Sequence, residues 1–286
     1  MSAPRLGSLA QPLPFVTGPR RLRLGFIVPS SNTAVEPVVT NVINTVNKKV
    51  TSVHITTHFS RFRVTQISLD ASAQSQFQLD AIVEAASLLA DAKVDAIIWA
   101  GTSAGWLGLD TDRRLCREIT TRFNIPATTS TMALIEHLRL AGNPKLGLVT
   151  PYVKDMNAAI VANFAKEGIT TIDHGTHLSI TDNTAIAEVT RYQLGDMVYD
   201  LLMSKQGVNH ITIFCTNLNV AYAVKDWEAA YKSWSLVVLD SITVTVWASL
   251  RKLQIETAET GVAAEWGSLF DVGAAQDKTE DKEWDF

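Results

Sequence analysis

The sequence lacks the features that mark several broad classes of protein. It has two cysteines in 286 residues, without framework spacing, which favours a reducing compartment over a disulfide scaffold. No uninterrupted apolar run approaches the roughly 18 residues that span a bilayer, and the N-terminus lacks the long apolar segment of a secretory signal. We therefore expect a cytoplasmic protein that does not interact with membranes.

The sequence also lacks an excess of positive charge. Its net charge is −4, so it has no basic footprint for a phosphate backbone, and we expect no nucleic-acid partner. The six histidines show no spacing that converges with acidic residues on one helix face, so we expect no metal. Glycine-rich phosphate-binding motifs and the Gly-x-Ser-x-Gly motif of serine hydrolases are missing too, and we expect no cofactor.

What the sequence does contain is an alternation of apolar and helical segments. Its 47% of apolar residues can bury substantial cores. Runs that are apolar on both faces alternate with stretches of helical period, which predicts an α/β fold with parallel sheets covered by helices. The predicted strands are 22–28, 95–100, 146–150, 210–215 and 235–239; the predicted helices are 71–91, 110–123, 130–141, 153–167, 183–206, 221–233 and 241–253.

An internal repeat indicates that the chain is duplicated. The run LGFIVP at 24–29 returns as LGLVTP at 146–151, 122 residues later. The run IIWAGTS at 97–103 is followed 114 residues later by ITIFCTN at 211–217. We expect two α/β lobes, with a first lobe at 21–127 plus 240–275, a second at 128–239, a flexible leader at 1–20 and an acidic tail at 276–286.

The repeat aligns Gly101 with Cys215, and this is its most informative pair. Facing half-molecules would place the two turns on opposite sides of one cleft, where α/β sheets bind ligands. The chain then offers a thiol on only one side. A cysteine at a strand tip is either a reactive group or a small buried hydrophobe, and position alone does not separate the two. Cys116 falls inside a predicted helix and is expected to be structural.

Polar residues follow the same predicted strands. Thr102 and Ser103 supply hydroxyl and backbone donors suited to a carboxylate or an enediolate, although capping alone also explains them. Asn32 and Tyr152 follow the first strand of each repeat and are equally compatible with ordinary turns. Arg61 could hold a carboxylate by a bidentate pair or be solvated.

Five motifs together resemble those of the aspartate/glutamate racemase superfamily: PSSNT at 29–33, GTS at 101–103, VTPY at 149–152, DN at 182–183 and FCT at 214–216. Within it the chain is similar to the branch of maleate isomerases and arylmalonate decarboxylases, over residues 22–270. The resemblance implies two Rossmann-like lobes related by a pseudo-twofold axis, a cofactor-independent site between them and small carboxylate substrates. Glycine at 101 resembles the decarboxylases, whereas the segments around Asn32, Arg61 and Asn183 are more like the isomerases.

The resemblance also implies roles for individual residues. Thr102, Ser103 and Tyr152 would hold a carboxylate that becomes an enediolate, and Cys215 would protonate it opposite Gly101. The implied substrate-binding residues are Ser31, Asn32, Arg61, Trp99, Asn183 and Thr216, with Trp99 and Trp106 beside the leaving carboxylate.

Three functions compete on these grounds. We expect a cofactor-independent decarboxylase of a small substituted malonate-type or β-dicarboxylic acid. The alternatives are a single-cysteine isomerase or lyase of small unsaturated dicarboxylates, like maleate isomerase, and a catalytically silent carboxylate-binding protein. In each case the partner is a small dicarboxylate, and a homodimer is left open.

Overall fold

The structure is a computed structural model that describes residues 18–70 and 75–272. The predicted tail and residues 1–17 of the predicted leader lie outside the described residues. No helix in the described ranges is both long and apolar enough to cross a membrane.

Eight parallel strands form two four-stranded sheets with the same topology. The first sheet has the order β2-β1-β3-β4 and the second β6-β5-β7-β8, so each strand of one sheet has a counterpart in the other. This confirms the predicted α/β fold with two parallel sheets. The strands are β1 (Arg20–Pro29), β2 (Val53–Phe62), β3 (Ala96–Trp99), β4 (Ala127–Thr129), β5 (Leu146–Val149), β6 (Thr171–Ile172), β7 (His210–Ile213) and β8 (Val237–Asp240).

Eleven α-helices alternate with these strands in the described ranges. Short 3-10 helices lie at Ser75–Phe77, Ala221–Ala223, Lys232–Trp234 and Ser268–Asp271. The α-helices are α1 (Val35–Lys49), α2 (Leu79–Asp91), α3 (Ala104–Leu107), α4 (Leu109–Phe123), α5 (Ser130–Leu140), α6 (Lys154–Lys166), α7 (Asn183–Ala187), α8 (Arg191–Met203), α9 (Val224–Ala230), α10 (Ser241–Lys252) and α11 (Ala263–Trp266).

Helix α1 and strand β2 were not predicted. Helix α1 is rich in valine, threonine and asparagine, which have low helix propensity, but its valines at 35, 38, 39, 42 and 46 form one buried face. Pro37 is tolerated because it lies in the first turn. Strand β2 lies at the edge of the first sheet and alternates buried with exposed residues, so it has no continuous apolar run.

Two predicted helices are wrong in their continuity. The segment 183–206 is broken into α7 and α8, because Thr190 starts a new helix with a capping box to Gln193. The segment 221–233 is divided among a 3-10 turn, α9 and a second 3-10 turn. Helix α2 begins at Leu79 rather than at 71, and residues 71–74 lie outside the described ranges.

The two halves pack closely through helices and through the loops at the strand ends. Helix α10 contacts α1 and α5, and α3 contacts α6. The Asn163 amide of α6 donates to the carbonyl oxygens of Gly105 and Trp106 at 3.0 and 3.1 Å. A Cβ atom on Gly105 would lie 2.4 Å from Cε1 of the buried Phe214, so glycine is required for this approach. The lobe boundaries given above stay predictions.

Replacing Gly105 with alanine is expected to destabilise the protein, because Phe214 is held edge-on against Phe164 with ring centroids 5.3 Å apart and has little room to move. Overpacking of this kind costs about 1–3 kcal/mol in the free energy of unfolding, measurable by urea denaturation. The control is Gly195→Ala inside α8, where the new Cβ would meet Trp227 at an ordinary 3.5 Å. That control should gain about 0.5–1 kcal/mol. Equal effects of the two substitutions would contradict the close approach.

Candidate functional site

One cavity lies where the carboxyl ends of β1, β3, β5 and β7 converge. The cavity is small, with a volume of about 20 Å³. Its position between the two sheets agrees with the expectation that ligands bind beyond the carboxyl ends of parallel strands. The lining residues are Pro29, Asn32, Val64, Ile67, Phe77, Trp99, Gly101, Thr102, Ser103, Trp106, Tyr152, Asn183, Cys215 and Thr216.

The turns after β3 and β7 are joined directly to each other. The Thr216 hydroxyl donates to the carbonyl oxygen of Ala100 at 3.2 Å. The Asn32 amide donates to the Thr216 carbonyl oxygen at 3.1 Å, while its own Oδ1 accepts from the backbone N–H groups of Ala34 and Val35. Asn32 therefore starts helix α1 and positions Thr216, and both of these side chains are engaged by the protein itself.

Asn217 ties the same turn to two further loops. Its Oδ1 accepts from the backbone N–H of Thr33 at 2.9 Å, and its Nδ2 donates to the Asn183 carbonyl oxygen at 2.5 Å. The Asn183 amide in turn donates to the Ser31 hydroxyl at 2.8 Å. This joining role of Asn217 has no sequence signal, because it depends on contacts with residues distant in the chain.

Tyr152 connects the two turns from the side. Its hydroxyl lies 2.9 Å from Oγ1 of Thr102 and also hydrogen-bonds with the sulfur of Cys215. The ring packs edge-on against Trp106 with centroids 5.2 Å apart. Tyr152 is fully buried, and burial raises the pKa of its phenol well above its ordinary value, so the hydroxyl stays protonated.

Cys215 is a neutral thiol at ordinary pH. Burial raises its pKa to about 11, against the hydrogen bonds from Tyr152 and from the backbone N–H groups of Asn217 and Leu218, which lower it. Desolvation of the buried sulfur outweighs these donors.

The cavity wall contains polar and apolar groups but no charge. None of the described side chains that line it is acidic or basic. Ser103 also lines the cavity, and the indole nitrogens of Trp99 and Trp106 are buried without a hydrogen-bond partner among the described residues. A carboxylate in this cavity would be held by neutral donors, mainly hydroxyl groups.

The structure does not bring every predicted residue to the cavity. Arg61 lies away from it: its guanidinium pairs with Glu36 at 2.7 Å and donates to the carbonyl oxygens of Ser30 and Asn32. Ser31 is also outside the lining, where it bonds Asn183 and donates to the carbonyl oxygen of Val64. Both residues brace the loop after β1. Cys116 is buried in α4, with its sulfur 3.8 Å from that of Met132.

An apolar wall formed by Val64, Ile67 and Phe77 was missed. The segment that follows β2 crosses to the second lobe, where the Ile67 N–H donates to the Thr181 carbonyl oxygen at 3.0 Å. Gln66 and Asp182 form an isolated antiparallel bridge there. The position of this wall follows from strand β2, whose edge pattern gave no clear signal.

Within residues 18–70 and 75–272, no group of three or more histidine, cysteine, aspartate or glutamate residues could hold a metal ion.

Comparison with known proteins gives matches that span this fold and cavity. The family model described as arylmalonate decarboxylase matches residues 24–265. The chain is 28% identical to the maleate isomerase of Pseudomonas putida over 249 residues, which cover 85% of this chain and 96% of that protein.

Two solved structures are similar along nearly their whole length. A cysteine-to-alanine variant of the maleate isomerase Iso from Pseudomonas putida S16 with maleate is 26% identical, with a TM-score of 0.74 over 88% of this chain and 98% of that one. A crystal structure of arylmalonate decarboxylase is 18% identical, with a TM-score of 0.64 over 87% and 99% of the two chains. The second likeness concerns the fold alone.

The protonation state of Cys215 can be tested by titration. In a Cys116→Ala variant Cys215 is the one remaining thiol. Because its pKa is about 11, we expect no thiolate absorption in the ultraviolet at neutral pH, and alkylation by iodoacetamide that accelerates only as the pH rises toward that value. Tyr152→Phe removes a hydrogen bond that lowers the pKa, so alkylation should become slower still at a given pH. A thiolate signal at neutral pH would contradict this description.

Proposed function

This chain belongs to the arylmalonate decarboxylase family, and on that premise we propose that it is a cofactor-independent decarboxylase of a small substituted malonate-type or β-dicarboxylic acid. One observation carries the proposal: a single neutral thiol, Cys215, faces an uncharged cavity whose opposite turn has glycine at 101. Protonation of a carbanion on one face needs one acid, whereas chemistry on both faces needs two.

The substrate carboxylate that stays would be held by hydroxyl groups. The hydroxyl oxygens of Thr102 and Tyr152 lie 2.9 Å apart and Ser103 follows directly, so three neutral hydroxyl groups lie at one end of the cavity. The raised pKa of Tyr152 keeps its hydroxyl a donor. Such donors stabilise an enediolate more than the carboxylate from which it forms, since charge grows on the oxygens during the reaction.

The carboxylate that leaves would face the apolar wall. Val64, Ile67 and Phe77 offer it no hydrogen-bonding side chain and no positive charge. Weak solvation of this carboxylate favours its release as neutral CO2. The C–C bond electrons pass to the α-carbon and delocalise onto the retained carboxylate as an enediolate.

Cys215 would then complete the reaction. Its S–H proton is transferred to the α-carbon, a C–H bond forms, and the retained group returns to an ordinary carboxylate. The resulting thiolate is unfavourable in this buried site, so it takes a proton from water and the resting thiol is restored. No electrons are exchanged with any cofactor.

An isomerase of small unsaturated dicarboxylates is the second candidate. It is favoured by the Pseudomonas putida relatives, which are maleate isomerases, and by Asn183, whose amide lies at the cavity wall. In this case Cys215 would add to an alkene carbon as a thiolate. The raised pKa of Cys215 opposes that role, because only a small fraction of the thiol is ionised at neutral pH.

The proposal is tested by proton NMR in D2O with a phenyl-substituted malonate and with maleate. We expect the malonate to disappear and one deuterium to appear on the α-carbon of the product. Cys215→Ala should slow this by about 10²–10⁴-fold, the usual contribution of a general acid. Cys116→Ala, which removes a thiol that does not line the cavity, should behave as the unmodified protein.

The other outcomes separate the alternatives. Conversion of maleate that depends on Cys215 would support the isomerase. Binding of a malonate without turnover, unchanged in Cys215→Ala, would support a silent carboxylate-binding protein. Normal turnover by Cys215→Ala would contradict both enzymatic roles of this thiol.

A further inference from the structure

The two sheets place Trp99 and Ile213 at equivalent positions. Trp99 ends β3 and pairs with Ile27 on one side and Thr129 on the other. Ile213 ends β7 and pairs with Val149 and Asp240 in the same way. Two residues further along the chain these strands continue into Gly101 and Cys215. The first turn therefore has a large side chain at 99 and none at 101. The second has a smaller side chain at 213 and a thiol at 215.

The Trp99 ring occupies the space into which a side chain on residue 101 would extend. A Cβ atom built on Gly101 would lie 2.1 Å from Cζ2 and 2.4 Å from Cε2 of Trp99, far closer than real atoms approach. The contact is with the ring itself rather than with the end of a flexible chain. The absence of a side chain at 101 is thus a packing requirement set by Trp99.

The indole has little freedom to move away. Trp99 is 1% exposed, and its ring packs against Phe62 with centroids 5.2 Å apart. It belongs to the core between the first sheet and helices α2 and α4. Displacing it would open a large void in that core.

We propose that Trp99 is a specificity-determining residue that closes the Gly101 side of the cavity and leaves Cys215 as the sole route for proton transfer. The Trp99 ring fills the space that a side chain at 101 would need, so there is no room for a second thiol there. The indole N–H is a hydrogen-bond donor that does not transfer its proton at ordinary pH, so Trp99 cannot act as a second acid. The catalytic part of this proposal rests on the proposed function; the packing part does not.

The inference predicts that the two positions are coupled. Trp99→Ile together with Gly101→Cys gives the first turn the same Ile-x-Cys arrangement as the second. Gly101→Cys alone must force the indole aside, so we expect its melting temperature to fall by about 5 °C or more. In the double variant, the cysteine should change the melting temperature of Trp99→Ile by no more than about 2 °C, since the ring that it would strike is gone.

The second readout is the configuration of the product from a malonate that carries a methyl and a phenyl group. The unmodified protein and Trp99→Ile should give one enantiomer, and the double variant should give a mixture or racemise the product, because a thiol then faces each side of the α-carbon. The control is a variant with Trp99→Ile and Gly101→Ala, which places a side chain at 101 but no thiol. It should still give one enantiomer.

Each result bears on one part of the inference. The packing claim would be overturned if Gly101→Cys had the same melting temperature as the unmodified protein. It would also be overturned if the cysteine lowered the melting temperature as much in the Trp99→Ile background as it does alone. A single enantiomer from a stable double variant would overturn the claim about proton transfer. If the melting temperatures show that positions 99 and 101 are coupled but the unmodified protein does not decarboxylate the malonate, the proposed function is contradicted and the packing claim stands.

Discussion

The hydrogen bond from the Thr216 hydroxyl to the carbonyl oxygen of Ala100 joins the ends of β7 and β3, and the rest of the site depends on this junction. It fixes the Cys215 turn against the Gly101 turn from opposite lobes. Asn32 holds Thr216 from a third strand end, and Asn217 extends the same network to Thr33 and Asn183. Because these groups are buried, each unmade bond would be costly, which favours one arrangement of the two lobes.

Burial also determines the chemistry available to Cys215. In a cavity with no charged side chain among the described lining residues, hydrogen bonds from Tyr152 and the backbone offset only part of the cost of removing a thiolate from water. The same conditions suit an acid that donates once and is reprotonated. Hydroxyl groups hold the retained carboxylate less tightly than arginine would, and the apolar wall of Val64, Ile67 and Phe77 solvates the leaving carboxylate more weakly still, which favours release of CO2. The binding and the proposed reaction therefore have the same physical origin.

Whether a strand, helix or site residue can be predicted from the sequence depends on whether its own residues form a recognisable pattern. Buried central strands such as β1 and β7 have continuous apolar runs, and the internal repeat is enough to pair Gly101 with Cys215. Helix α1 and strand β2 were missed, because burial overrides the low helix propensity of one and the edge position hides the other. Arg61 is a substrate-binding residue by resemblance, whereas its partner in the structure, Glu36, is set by the packing of α1 against β2. The clash between Trp99 and a side chain at 101 has no sequence signal, since it depends on the direction of one ring.

The most direct measurement is a crystal structure of the Cys215→Ala protein with a substituted malonate that it cannot turn over. The account predicts one carboxylate within hydrogen-bonding distance of Thr102, Ser103 and Tyr152, and the other against Val64, Ile67 and Phe77. The α-carbon should face position 215, with the Trp99 ring closing the opposite side. A malonate bound outside this cavity, or one whose α-carbon faces Gly101 with the ring displaced, would contradict it.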